Sequence, residues 1–156
     1  MATYNNNFRV KQTVSKRLIL SCVVCVIGLV SLFFLFAPGI VFTYTNSGKT
    51  ISETVGELVF GGYYTGMNAG LMSAFFIAIA ASLISLATGG FRYAGYLAAL
   101  MFITCAILFF CCMPLIGDGL EKFGSRGSFS LGCGTYLVGV SQIICAILLI
   151  VAAKCE

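Results

Sequence analysis

Histidine and tryptophan are absent from this 156-residue chain, and only 9% of its residues are charged. Without histidine, the usual metal ligand and neutral-pH general base is missing everywhere. The acidic residues are Glu53, Glu57, Asp118, Glu121 and Glu156. All of them fall between or beyond the apolar stretches, so no carboxylate pair is placed to relay protons or hold a cation within a bilayer. A P-loop, a G-x-S-x-G elbow and a dinucleotide fingerprint are also missing. Small four-helix membrane enzymes that use glutathione or quinones need inward-facing Arg, Glu or exposed Cys pairs, and these too are lacking. No catalytic residue, metal site or cofactor is therefore assigned, and an enzyme is not expected.

Long uncharged apolar runs are what the chain does have. Residues 18–36, 67–87, 93–113 and 131–153 are each free of charge. Each approaches the ~20 residues that a helix needs to cross roughly 30 Å of hydrocarbon. In lipid the backbone must satisfy its own hydrogen bonds, so these runs predict four transmembrane helices, at about 18–37, 67–88, 92–113 and 131–153. The expected fold is an all-α transmembrane four-helix bundle. With 60% of residues hydrophobic, the chain exceeds what a small soluble domain can bury. It reads as one domain over 1–156. The first run is too long for a cleaved signal sequence, and Pro38 follows the plausible cleavage point at once, so a retained signal-anchor helix is expected.

Basic residues set the predicted orientation. Arg9, Lys11, Lys16, Arg17, Arg92 and Lys154 fall on one side of the membrane with Glu156. Lys49, Lys122 and Arg126 fall on the other with Glu53, Glu57, Asp118 and Glu121. The first side is thus net positive, which places both termini in the cytoplasm of a multi-pass cell-membrane protein. Two external loops follow, near 38–66 and 114–130. The basic residues abut a span, so they read as a membrane signal and not as a nucleic-acid footprint.

In the first external loop, Ile40-Val41-Phe42-Thr43-Tyr44-Thr45 and Lys49-Thr50-Ile51-Ser52-Glu53-Thr54-Val55 flank the turn-forming Asn46-Ser47-Gly48. This pattern predicts a short β-hairpin, with Tyr44, Asn46, Lys49, Glu53 and Glu57 as candidates for external contact. The paired Tyr63 and Tyr64 suit a membrane interface. The second external loop is Gly-rich, with one turn of interfacial helix expected through Leu120-Glu121-Lys122-Phe123. On the inner side, Gly89 and Gly90 cap the second helix in a connection short enough to make helices two and three antiparallel neighbours.

Small residues recur at every fourth position of the second helix: Gly66, Gly70, Ala74, Ala78 and Ser82. Gly139 sits on a similar face of the fourth. Such ridges let helix backbones approach in lipid, either within one chain or between subunits. Gln142 is the amide deepest within any span, so it needs a polar partner or a pore to line, together with Ser73 and Ser85. Of the eight cysteines, Cys22, Cys25, Cys105 and Cys145 read as buried small hydrophobes, since no polar setting activates them. Cys155 offers an acylation site with nothing to support it. Cys133 lies at the same predicted depth as Cys111 and Cys112, so a disulfide, Cys112–Cys133 for example, stands as an alternative to free thiols.

Four helices, internal termini, a β-prone first external loop and a short second one resemble the claudin and peripheral-myelin-protein class of tetraspans. The resemblance covers the whole chain at the level of layout. That class carries a Gly-Leu-Trp signature and a first-loop cysteine pair. Here Trp is absent and 38–66 holds no cysteine, so no functional residue is carried over. The tract Gly56-Glu57-Leu58-Val59-Phe60-Gly61 resembles loops in small four-helix membrane proteins of Gram-positive bacteria. Two functions follow as expectations. One, motivated by the Gly/Ala/Ser ridges and the lack of buried charge, is a non-catalytic tetraspan whose external hairpin and small-residue helix faces mediate lateral or extracellular assembly with itself or with a larger membrane partner. The other is an oligomeric, weakly selective channel lined by Ser73, Ser82, Ser85 or Gln142 and gated by the Asn-rich N-terminal segment.

Overall fold

The computed structural model describes residues 2–63, 65–113, 115–116 and 127–154, with side chains from residue 16 onward. Helix α1 runs Ala2–Val30 and so begins well before the apolar run. No proline or glycine interrupts residues 2–27, and helix therefore propagates into the basic segment. At Ser31 it tightens into a 3₁₀ stretch, Ser31–Phe36, where the Ser31 hydroxyl donates to the Gly28 carbonyl at 2.6 Å. Pro38 then ends it, because the residue before a proline is pushed out of the helical region. Ala37 is indeed extended, at φ −81° and ψ 156°.

The hairpin forms as its sequence predicts. Strand β1 is Pro38–Tyr44 and β2 is Thr50–Thr54, paired antiparallel with Phe42 opposite Ile51. Gly48, at φ +62°, makes the left-handed turn. A third strand was not anticipated. Gly127–Leu131, read from the sequence as loop and helix start, is strand β3 and pairs antiparallel with β1, Phe129 opposite Phe42. The order is β2-β1-β3, so β1 is central. The expected turn of helix at Leu120–Phe123 lies outside the described residues.

Helix α2, Val55–Phe60, follows β2 directly. A capping box starts it: the Glu57 backbone N–H donates to Thr54 Oγ1 at 3.2 Å, and the Thr54 backbone N–H donates to Glu57 Oε2 at 2.7 Å. Replacing Thr54 with Ala removes one half of this exchange, and a loss of about 1 kcal/mol is expected in a denaturant titration. A loss below a quarter of that would mean that packing alone holds α2.

The remaining helices are α3 (Ala69–Leu86), α4 (Arg92–Phe110) and α5 (Cys133–Lys154). Asn68 caps α3, accepting from the Leu71 N–H at 3.0 Å. A 3₁₀ turn, Ala87–Gly89, ends α3 at the short connection to α4. Four segments are long and apolar enough to cross a membrane: Lys16–Phe36, Ala69–Gly89, Arg92–Phe110 and Cys133–Lys154. This agrees with the sequence reading to within two residues at most ends. Around the helical part, α1 touches α3 and α5, while α4 touches α3 and α5.

Two apolar clusters fill the interior. Near the sheet, Ile40, Val55, Leu58, Val59 and Leu71 pack with Phe109 and Val138. At the opposite end, Val24, Ala81, Ala98, Phe102, Cys145 and Leu149 pack together. Large apolar side chains such as Phe33, Phe76, Leu100 and Ile147 point outward along all four spans, as lipid contact requires.

Candidate functional site

Both connections at the sheet end converge on one small structure. Strand β1 follows the first span, β2 completes the hairpin, and β3 leads into α5, so the sheet joins segments distant in sequence. Period-2 alternation divides it into two faces. Ile40, Phe42 and Tyr44 share one face with Ile51, Glu53, Phe129 and Leu131. The Phe42 and Phe129 rings sit 4.6 Å apart, and Tyr44 meets Phe42 edge-on at 4.5 Å. The opposite face carries Thr43, Thr50, Ser52, Ser128 and Ser130 around Val41. Its serines and Thr50 are exposed, and none of its residues is charged.

The sheet is held to the helices at several points. The Gly39 carbonyl accepts both from the Gly132 N–H at 2.8 Å and from the Thr135 hydroxyl at 2.7 Å. The Val55 N–H donates to the Ala37 carbonyl at 3.0 Å. Asn68 Nδ2 donates to the Leu115 carbonyl at 2.6 Å, tying the start of α3 to the segment after α4.

Of the residues singled out as an external contact set, Asn46 and Lys49 lie exposed around the turn, and Tyr44 is half-buried on the aromatic face. Glu57 is exposed and occupied in the capping box. Glu53 is only 6% exposed. The Thr65 hydroxyl donates to its Oε2, and the Thr65 N–H approaches Oε1 at 3.4 Å. Gly62, whose N–H donates to the Thr65 carbonyl at 2.7 Å, brings this loop against the carboxylate. Among these, Glu53 therefore anchors the loop after α2 instead of facing solvent. Nothing local in the sequence marks Thr65 as its partner.

The small-residue ridge of α3 is mostly consumed inside the chain. Ala74, Ala78, Ser82 and Ser85 are buried. Ser82 donates to the Ala78 carbonyl at 2.8 Å. Ser85 donates to the Ser82 carbonyl at 2.6 Å and lies 3.4 Å from the Ser21 carbonyl of α1. Gly139 is buried against the Phe110 ring. Three members differ. Gly66 precedes α3 with nothing near its Cα face, Gly70 faces Asn68 and Leu115, and Ser73 is exposed with its hydroxyl on the Gly70 carbonyl. The buried ridge therefore starts at Ala74: Gly66 precedes α3, and Gly70 sits half-buried in its first turn against Asn68 and Leu115.

Gln142 of α5 is 1% exposed. Its Nε2 donates to Ser31 Oγ at 3.0 Å, joining the last span to the 3₁₀ stretch of the first. Of the two alternatives for the cysteines near the sheet, the structure has the free thiols. Cys112 and Cys133 are both free thiols, Cys112 within the apolar cluster and Cys133 exposed at the start of α5. Cys105 and Cys145 are buried as expected, and of the Cys22/Cys25 pair only Cys25 is buried. Among the described residues no group of three His, Cys, Asp or Glu is placed to hold a metal ion.

These features define a multi-pass membrane protein with four apolar spans and a three-stranded sheet at one end. Compared with family models, curated proteins and solved structures, the chain finds no match.

Proposed function

We propose that this chain is a non-catalytic four-helix tetraspan of the cell membrane, with both termini cytoplasmic and the sheet outside. It acts by lateral or extracellular assembly, with itself or with a larger membrane partner. The observation that carries the reading is the joining of both connecting segments into one sheet. That sheet is anchored to the helices through Gly39, Gly132 and Thr135, and its hydroxyl-rich face is uncharged. A preorganised surface loses little conformational freedom when a partner docks. The cluster Arg9, Lys11, Lys16 and Arg17, in the N-terminal part of α1, supports the orientation.

The channel reading gains less support. Ser82, Ser85 and Gln142 are buried, each with a hydrogen bond inside the chain, and of the expected lining only Ser73 remains exposed.

Placing lysines on the hydroxyl face tests the assembly reading. Thr43→Lys with Ser128→Lys puts two charges there without touching the interior. The wild type is expected to give dimers or larger species in membrane cross-linking and in nanodisc mass measurements. The double variant should run as a single chain with an unchanged circular dichroism spectrum. Identical patterns for the two proteins would remove the sheet from any role in assembly.

A further inference from the structure

The amide of Gln142 is only half satisfied. Ser31 spends its one proton on the Gly28 carbonyl, 2.6 Å away. Its oxygen can therefore only accept from Gln142, which requires Nε2 and not Oε1 to face it at 3.0 Å. The amide orientation follows from that chemistry. It leaves Gln142 Oε1 fully buried with no donor in reach. An orphaned amide oxygen in a membrane interior is costly, since neither lipid nor an apolar side chain can bond to it.

A cavity of about 10 Å³ adjoins this amide, lined by Ser31, Gln142 and apolar side chains, Ala78 and Phe109 among them. Beyond Ser31 and Gln142, no lining side chain bears a hydrogen-bond donor. The space matches a single water molecule and little else. The two polar residues that line it hold two free acceptor positions between them, Gln142 Oε1 and the remaining lone pair of Ser31. One water supplies two O–H donors.

We propose that this cavity is a binding site for one O–H donor, a water molecule. The water bridges Gln142 Oε1 to Ser31 Oγ and completes a polar latch between the 3₁₀ end of the first span and α5. The proposal does not depend on the assembly reading, because the latch lies wholly within one chain.

Gln142 and Gln12 are the two glutamines in the sequence, so ¹⁵N-glutamine labelling yields two side-chain amide signals, and Gln142→Met identifies which is which. The protein is reconstituted in phosphatidylcholine, a lipid without hydroxyl groups. Magnetisation transfer from water to the Gln142 amide is expected, and it should be lost in Ala78→Val, which fills the cavity. Gln142→Met should lower the melting temperature by roughly 4 °C, as expected for losing two or three buried hydrogen bonds. A transfer peak that appears only after phosphatidylglycerol is added would assign the donor to a lipid hydroxyl and overturn the water. The absence of transfer in both lipids would mean a dry cavity and overturn the site. Transfer decides the matter, and a melting temperature raised by Gln142→Met would agree with the dry outcome.

Discussion

Gly132→Ala is expected to loosen the sheet from the helices and to destabilise the protein by about 3 kcal/mol. The backbone at Gly132 is not the obstacle, because among the described residues only Gly48 and Gly61 have positive φ. The obstacle is contact. A Cβ there would overlap the Pro38 carbonyl oxygen and lie 2.6 Å from its carbon and 3.1 Å from the Gly39 carbon. These are backbone atoms of β1 that cannot rotate aside. Separating the two segments would stretch the Gly132 N–H···Gly39 bond and shift Thr135 from the same carbonyl. Leu131, opposite Ile40, would lose register with it. Denaturant titration followed by circular dichroism reads the stability. Hydrogen exchange at Val41 and Thr43, whose β1 positions pair with β3, should accelerate. A change within about 0.5 kcal/mol, the ordinary scatter of a surface substitution, would show that the sheet is not fastened here.

Gly28→Leu should have a comparable effect at the helix interface. A Cβ on Gly28 would run into the Ser82 hydroxyl and come within 3.2 Å of Ser82 Cβ and 3.4 Å of the Phe102 ring. Ser82 cannot swing freely, because its hydroxyl donates to Ala78 within α3. Leucine must push α1 away from α3, and about 3 kcal/mol is expected from overpacking. The milder Gly28→Ala should cost less and be rescued in part by Ser82→Ala, which removes the overlapping oxygen. Such coupling identifies direct contact. Gly66→Leu is the control: nothing lies within 4 Å of that position, so stability should move by no more than about 0.5 kcal/mol. If Gly28→Leu and Gly66→Leu behave alike, α1 and α3 do not pack as described.

These substitutions mark the boundary between what was readable and what was not. The α3 ridge was visible because Ala74, Ala78 and Ser82 recur every fourth residue, the spacing of one helix face. Gly28 was not visible, because a lone glycine in an apolar run has no periodicity of its own. The hairpin was visible in Asn46-Ser47-Gly48, a local turn whose strands are neighbours in the chain. Strand β3 was missed although Gly127-Ser128-Phe129-Ser130-Leu131 alternates. Its glycine content read as loop, and its partner β1 lies across two spans. The need of Gln142 for a partner followed from burying an amide, but Ser31, 111 positions away, could be named only once α1 and α5 were set side by side.

By itself, the sequence determined that this is a four-span membrane protein. Span length, missing charge and basic asymmetry are properties of the chain against a bilayer and need no tertiary contact. Tertiary structure decided the rest. It turned β3 into part of the sheet, buried Glu53 under Thr65, left Cys112 and Cys133 as free thiols, and committed most of the small-residue ridge to contacts within one chain. Each of these outcomes depends on which distant segments meet, and that is set by whole-helix packing, which local composition does not encode.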